Sequence, residues 1–137
     1  MKNYFIGIIA ILLLLTIGVF SACSPEEEDY TSHWLGSWKT TNKLNYPLSK
    51  VSYSGEITKV PNKDNQVLVG GELFDLNSSF VMPMKINSTY AASFDYTAGI
   101  KLEGTARLNA KYDTIVFFIT VTSADKSIKD TIIATKN

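Results

Sequence analysis

Beyond residue 32 the sequence alternates apolar and polar residues, and this pattern constrains the fold more than any other feature. Between residues 100 and 108 the even-numbered positions are apolar or glycine, and the odd-numbered positions are all polar. This is the period of a strand with one buried face, because successive side chains of a strand point to opposite sides. Apolar residues do not keep a helical spacing for more than two turns anywhere in this part of the chain. The pattern therefore predicts an all-β domain.

Turn-forming residues divide the domain into about eight such runs. The runs cover residues 37–43, 50–60, 66–74, 79–86, 90–96, 100–108, 114–122 and 129–135. Eight short antiparallel strands joined by short hairpins predict an up-and-down barrel, with a two-sheet β-sandwich as the alternative. A closed barrel is favoured because it leaves no free strand edge to aggregate.

Four glycines within the predicted strands carry further expectations. Gly55 and Gly104 fall where a side chain would point inward, which predicts a sharp bend or close packing. The Gly-Gly pair at 70–71 predicts a β-bulge.

The strand predicted at 114–122 is apolar on both faces. Its outward residues Val116 and Phe118 need cover from the N-terminal segment or a neighbouring loop, or else form a patch that binds a partner.

The N-terminus has the pattern of an export signal. Lys2 precedes an apolar run at 5–20, and the small residues Ser21 and Ala22 follow it. As a helix this run spans about 24 Å, less than the roughly 30 Å of a bilayer core. A removable signal peptide is therefore predicted over residues 1–22, and the 115 residues that remain suffice for one small domain.

Cys23 is the only cysteine and follows Phe20-Ser21-Ala22 directly. This sequence resembles the lipobox of bacterial lipoprotein precursors, in which the cysteine becomes the first residue and carries the lipid. The resemblance implies a membrane anchor on Cys23, because several acyl chains on one residue suffice for stable anchoring. It also leaves no thiol for a disulfide, a nucleophile or a metal. An ordinary secreted protein is the alternative.

Residues 24–29 are polar, and four of them are acidic. Such a stretch has nothing to bury, so residues 23–32 are predicted to form the lipidated cysteine and a solvated tether, and residues 33–137 the barrel domain. Fully extended, residues 24–32 span up to about 30 Å. The acidic run resembles the surface-export signal of Bacteroidetes lipoproteins, which implies an outer-membrane protein exposed at the cell surface. A spacer on a periplasm-facing lipoprotein is the alternative.

A Gly-Ser-Trp sequence at 36–38 opens the domain. It resembles the Gly-x-Trp motif of lipocalin and other calycin barrels, in which the tryptophan closes one end of the barrel. The stretches at 104–109, 115–121 and 131–137 are also similar to those of small lipocalin-like lipoproteins of Bacteroidetes. Lipocalins pack a late arginine on this tryptophan. The only arginine here, Arg107, is predicted to point to solvent, with a contact to Trp38 as the alternative.

The sequence predicts no enzyme, no metal site and no cofactor. His33 is the only histidine, so a histidine cluster for zinc is excluded, and a Ser-His-Asp triad would have to use His33 at the edge of the barrel. The carboxylates show no pairing typical of an acid and base across a cleft. From Tyr30 onward 12 basic residues face 9 acidic ones, too small an excess for nucleic-acid binding.

Aromatic residues near strand ends are the candidates for ligand binding, because a barrel mouth presents rings to apolar or sugar ligands. These candidates are Trp38, Tyr53, Tyr90, Phe94, Tyr96 and Tyr112. Half-buried structural aromatics are the alternative interpretation.

The predicted function is a lipid-anchored, non-catalytic binding module for a small apolar molecule, a glycan or a protein. Two other functions stay open. One is an accessory subunit that docks to an envelope complex through Val116 and Phe118. The other is an inhibitor of host hydrolases that uses the loop at 61–65.

Overall fold

The computed structural model describes residues 28–40, 53–74, 76 and 79–137, and it shows an all-β barrel. Each strand pairs antiparallel with the next, and the last strand pairs with the first, which closes the barrel. The up-and-down barrel prediction is therefore confirmed over the sandwich. The predicted signal peptide and Cys23 lie outside the described residues. The strands are β1 (Gly36–Thr40), β2 (Tyr53–Lys59), β3 (Gln66–Gly70), β4 (Val81–Ser88), β5 (Ala91–Ala98), β6 (Ile100–Leu108), β7 (Thr114–Ser123) and β8 (Lys126–Lys136).

The observed strand bounds follow the alternation closely. Strand β6 has the bounds that the pattern predicts. Strand β8 begins three residues earlier than predicted, because Ser123 pairs with Lys126 and leaves a two-residue turn. The strands predicted at 37–43 and 50–60 extend into residues 41–52, which lie outside the described part of the chain.

A 3-10 helix at Gly71–Phe74 replaces the end of the third predicted strand. Two predictions are wrong here, the strand as far as residue 74 and the bulge at 70–71. Leu73 and Phe74 are buried, and the Phe74 ring meets Phe117 edge-on with centroids 5.2 Å apart. The helix therefore closes this end of the barrel, which we call the helix end.

Gly55 makes room for this helix. A methyl group at Gly55 would lie 2.8 Å from Cγ of Leu73. The expectation of close packing at Gly55 is therefore confirmed.

The opposite end is closed by two tryptophans, and we call it the tryptophan end. Trp34 and Trp38 are completely buried there, beside the turns at 60–65, 89–90 and 109–113. Trp38 donates its indole N–H to the carbonyl of Trp34 (2.9 Å), and Trp34 donates its own to the carbonyl of Thr89 (3.1 Å). These bonds satisfy both buried indoles, so the rings close this end without an unpaired donor.

Side chains fill the interior between the two ends. Among the described residues twenty apolar side chains are buried, one or more from each strand. Gly104 faces this core where β6 passes very close to β7, and a methyl group there would overlap the carbonyl oxygen of Phe118 and lie 2.9 Å from Cζ of Phe94. The close packing predicted at Gly104 is therefore confirmed.

Candidate functional site

The barrel wall is incompletely paired between β4 and β5. The two strands pair only near the tryptophan end, from Ser88↔Ala91 to Lys85↔Ser93. Strand β5 pairs with β6 along its whole length. The wall therefore has a seam between β4 and β5, which runs from Lys85 and Ser93 toward the helix end.

Pro83 explains why the pairing stops. Ile86 donates its N–H to the carbonyl of Asn65, toward β3 (2.8 Å). Because the N–H groups of successive residues point to opposite sides of a strand, odd-numbered residues of β4 point theirs toward β5. Pro83 is the next such residue after Lys85 and has no N–H to donate. Proline in a strand is confined to positions of this kind, where no ladder bond is needed.

A slot of about 320 Å³ opens at this seam. It is lined by Gln66, Pro83, Met84, Lys85, Ser93, Phe94 and Asp95. Met84 and Phe94 belong to the buried core and form an apolar floor, whereas the rim is polar and charged. An apolar floor with a few polar groups around it is the usual composition of a small-ligand site.

The rim carries one charge of each sign, from Lys85 on β4 and Asp95 on β5. Asp95 stands opposite Glu103 on β6, and Glu103 forms an ion pair with Lys101. The pKa of Lys101 is raised mainly by its hydrogen bond to the Glu103 carboxylate and also by the negative charge of Asp95. The β5 side of the slot therefore presents the Asp95 carboxylate, whose charge the nearby Lys101 ammonium group partly neutralises.

A second cluster of rings lies on the outside of the tryptophan end. The His33 ring stacks on Tyr112 with centroids 3.8 Å apart, and Tyr90 lies parallel to Tyr112 at 5.8 Å. The hydroxyl groups of the two tyrosines are 3.2 Å apart, and this hydrogen bond raises the pKa of Tyr112. We call these three residues the ring stack. It presents Tyr90 to solvent, with 46% of that residue exposed.

The Asn109 side chain stabilises the turn at 109–113, which contains Tyr112. Its side-chain oxygen accepts the N–H groups of Asp113 and Thr114, at 3.0 and 3.2 Å. Its amide donates to the Asp113 carboxylate (2.6 Å), which lowers the pKa of Asp113. These bonds hold Tyr112 at a φ of 59°, a left-handed conformation that is uncommon for a bulky residue.

Residues 28–35 cross the tryptophan end, and we call them the strap. The Asn65 side chain accepts the N–H of Tyr30 (2.9 Å) and donates to the carbonyl of Glu28 (3.0 Å). Lys59 forms an ion pair with Asp29, and this bond is the main reason that the pKa of Asp29 falls from 3.8 to about 2. Residues 28–32 were predicted to belong to a solvated tether, but several of their groups are bound to the barrel.

We expect Asn65→Gly to loosen the strap. Asn65 is 6% exposed and has a φ of 54°. Glycine keeps that backbone conformation but removes both hydrogen bonds, at a cost of about 1–3 kcal/mol. Urea unfolding measures this loss, and hydrogen exchange at the Tyr30 amide should become faster.

Asn62→Gly is the matched control for Asn65→Gly. It lies in the same turn at a φ of 58° and is exposed, so its stability should change by no more than about 0.5 kcal/mol. Equal losses in the two variants would mean that the strap bonds contribute nothing.

A lysine, not an arginine, lies over Trp38. The ammonium nitrogen of Lys136, in the last strand, is 5.2 Å from the centroid of the Trp38 ring. Arg107 is exposed on the outer face of β6, as the alternation predicts. The cationic neighbour of the tryptophan is therefore a lysine of β8, which the expectation of an arginine did not include.

The six aromatic residues proposed for ligand binding do not form one site. Trp38 lies inside the tryptophan end, and Tyr90 and Tyr112 lie on its outer surface. Tyr53 and Tyr96 lie at the helix end, where the Tyr96 ring meets Phe80 edge-on with centroids 5.0 Å apart.

Phe94 is the one predicted candidate that reaches the slot. Met84 and Pro83 were missed, although a proline inside a predicted strand is a signal of incomplete pairing.

The outer face of β7 and β8 is partly apolar. Phe118 is 45% exposed and Ile133 37% exposed, and Ile133 stands opposite Val116 in the ladder. Val116 is half-buried, and among the described residues no side chain covers Phe118. The part of the N-terminal segment before residue 28, from which cover was predicted, lies outside the described residues.

The described residues bring no three histidine, cysteine or acidic side chains close enough together to hold a metal ion. The ring of His33 stacks on Tyr112 at the surface. No helix in the described ranges has the length and apolar character needed to cross a membrane.

Comparisons with protein-family models, with curated proteins and with solved structures give no match to this chain.

Proposed function

We propose that the protein is a lipid-anchored envelope protein whose barrel is a non-catalytic binding module, with its ligand in the slot between β4 and β5. The observation that carries this proposal is the slot itself, where the wall opens over Met84 and Phe94. At about 320 Å³ it lies at the lower end of the range of ligand pockets, roughly 300–1,000 Å³.

The packing of the barrel favours this site over the barrel axis. A ligand on the axis would have to displace buried side chains such as Trp38, Leu73 or Phe74, which close the two ends. Deleting such contacts costs several kcal/mol each, about 2–5 for large apolar side chains. The slot needs no such displacement, because its apolar floor lies directly below the gap in the ladder.

The lining of the slot suggests the class of ligand. Polar groups of a small molecule would meet Lys85, Asp95 and Ser93 at the rim. Its apolar part would lie on Pro83 and on the small exposed fraction of Met84 and Phe94. Because only 1% of Met84 and 5% of Phe94 is exposed, the floor leaves little apolar surface to bury, and the rim groups supply most of the contacts and the orientation.

The proposed location follows from the N-terminal sequence. The lipobox ending at Cys23 supports a lipid anchor, and the acidic run at 26–29 supports export to the outer surface of an outer membrane, as in lipocalin-like lipoproteins of Bacteroidetes. A periplasm-facing anchor is the alternative, and protease treatment of intact cells distinguishes the two.

The experiment is native mass spectrometry of the full chain extracted from its own cells. The wild-type protein is expected to carry an additional mass of one small molecule. Ser93→Trp places a large ring at the rim of the slot and should remove that mass. Ser54→Trp is the control, because Ser54 is an exposed residue of β2 that lines a different groove. Retention of the mass in Ser93→Trp would place the ligand elsewhere.

A second function is favoured by one observation, the exposed pair Phe118 and Ile133 on the outer face of β7 and β8. A patch of this kind suits an accessory subunit that docks to an envelope complex. A wild-type chain that carries no small molecule but is extracted together with a partner protein would favour this function.

A further inference from the structure

The strap determines which end of the barrel lies near the lipid. Only residues 24–27 separate Cys23 from Glu28, whose carbonyl accepts the Asn65 amide at the tryptophan end. From Cys23 to Glu28 the chain makes five residue steps, which span about 17 Å when fully extended. The nine residues of β6 span about 23 Å along the barrel axis at a typical tilt. The tether therefore cannot bring the helix end to the membrane, but it holds the tryptophan end close to it.

The ring stack is the exposed apolar feature of this end. The Trp34 indole N–H donates to the carbonyl of Thr89, the residue before Tyr90, and the His33 ring stacks on the Tyr112 ring. The strap and the ring stack therefore lie on the same surface of the barrel. Tyrosine has an apolar ring and a polar hydroxyl group, and it is enriched at membrane–water interfaces, where the ring contacts apolar groups and the hydroxyl group contacts water. Tyr90 is 46% exposed, one of the most exposed large apolar residues of the described chain.

The backbone at Tyr112 is a second, independent observation. The Asn109 turn holds a bulky aromatic residue at a φ of 59°, where glycine or asparagine would be less strained. Strained residues of this kind persist where the surrounding structure holds them, and they cluster at functional sites.

The charged side chains of the tryptophan end do not favour an anionic partner. Five basic side chains lie at this end against four acidic ones, and two further acids precede them in the tether: Lys59, Lys63, Arg107, Lys111 and Lys136; Glu28, Asp29, Asp64 and Asp113; and Glu26 and Glu27. Because the basic side chains do not outnumber the acidic ones, an anionic surface gains no net attraction. A zwitterionic lipid surface, contacted by rings, is the partner that fits.

We infer that the tryptophan end lies against the membrane surface, with Tyr90 and Tyr112 in contact with the headgroup region. This inference rests on the proposed lipid anchor at Cys23. It adds an orientation, in which the slot between β4 and β5 lies in the side wall of the barrel.

The test uses the full acylated chain in phosphatidylcholine nanodiscs and in detergent micelles. Its intact mass is measured first, to establish that the acyl chains are present. Hydrogen exchange of the turns at 88–91 and 109–113 should be roughly tenfold slower in nanodiscs, equivalent to about 1.4 kcal/mol. The turns at 98–100 and 123–126, at the helix end, should exchange alike in the two media.

Two variants test whether the rings are responsible. Tyr90→Ser combined with Tyr112→Asn should remove the slow exchange, and asparagine tolerates the backbone conformation at residue 112. Val81→Ser is the control, since Val81 is 41% exposed at the helix end and should leave the slow exchange unchanged. Circular dichroism of each variant shows that the barrel is intact.

The outcomes separate the two proposals. A chain without acyl mass overturns the anchor and the membrane contact together. An acylated chain whose two ends exchange alike in nanodiscs and in detergent overturns the contact alone. Slow exchange of the ring-stack turns in detergent, with a copurifying protein, also overturns it and indicates a protein partner on this end.

Discussion

Gly104→Ala is expected to destabilise the barrel by about 3 kcal/mol or more, because inserted atoms in a packed core force the backbone to shift. The added methyl group would overlap the carbonyl oxygen of Phe118, which is a backbone atom and cannot rotate away. It would also lie 2.9 Å from Cζ of Phe94. The loss is a large part of the roughly 5–15 kcal/mol that stabilises a domain of this size. Urea unfolding followed by far-UV circular dichroism measures it.

The control for Gly104→Ala is Gly99→Asn. Gly99 has a φ of 78°, which asparagine tolerates, and no heavy atom lies within 4 Å of an added Cβ. Its stability should change by no more than about 0.5 kcal/mol. If Gly104→Ala unfolds at the same urea concentration as the wild type, β6 and β7 do not approach as closely as described.

Trp38→Ala is expected to cost about 3–5 kcal/mol, as for other large aromatic residues removed from a core. Trp38 is completely buried, and its indole bonds the carbonyl of Trp34. The change therefore leaves a cavity and also separates the strap from the barrel interior. Urea unfolding followed by the fluorescence of Trp34 measures the loss.

Two further variants separate the contributions of the Trp38 ring. Trp38→Phe keeps most of the apolar volume and should cost clearly less than Trp38→Ala. Lys136→Met removes the cation above the ring and should cost about 0.5–1 kcal/mol. A loss of less than about 1 kcal/mol for Trp38→Ala would mean that the tryptophan does not close the barrel, and the resemblance to calycins would fail at its main residue.

Much of the fold could be predicted because alternating apolar and polar residues directly indicate a strand with one buried face. Strand β6 is the clearest example, since its bounds were predicted from residues 100–108 alone. The 3-10 helix at Gly71–Phe74 was missed for the same reason. Gly71 and Leu73 continue the buried positions of Val67 and Val69, so the period does not change where the strand ends.

The strap could not be predicted from local composition. Residues 28–32 look like an acidic spacer, and nothing near them indicates that Asn65 and Lys59 bind them from more than 25 positions away. The same limit applies to the slot. Phe94 is predicted as an aromatic residue near a strand end, but its place in the slot depends on Pro83 in the preceding strand, where the missing N–H interrupts the pairing.

The order of pairing around the barrel has a consequence for how the protein assembles. Every strand pairs with its neighbour in sequence, and only β1 and β8 join distant parts of the chain. Hairpins can therefore form one after another along the chain, since local pairing has a low entropic cost. The ring closes only when β8 arrives. The C-terminal strand thus completes assembly, and a chain that lacks it would lose two ladders at once.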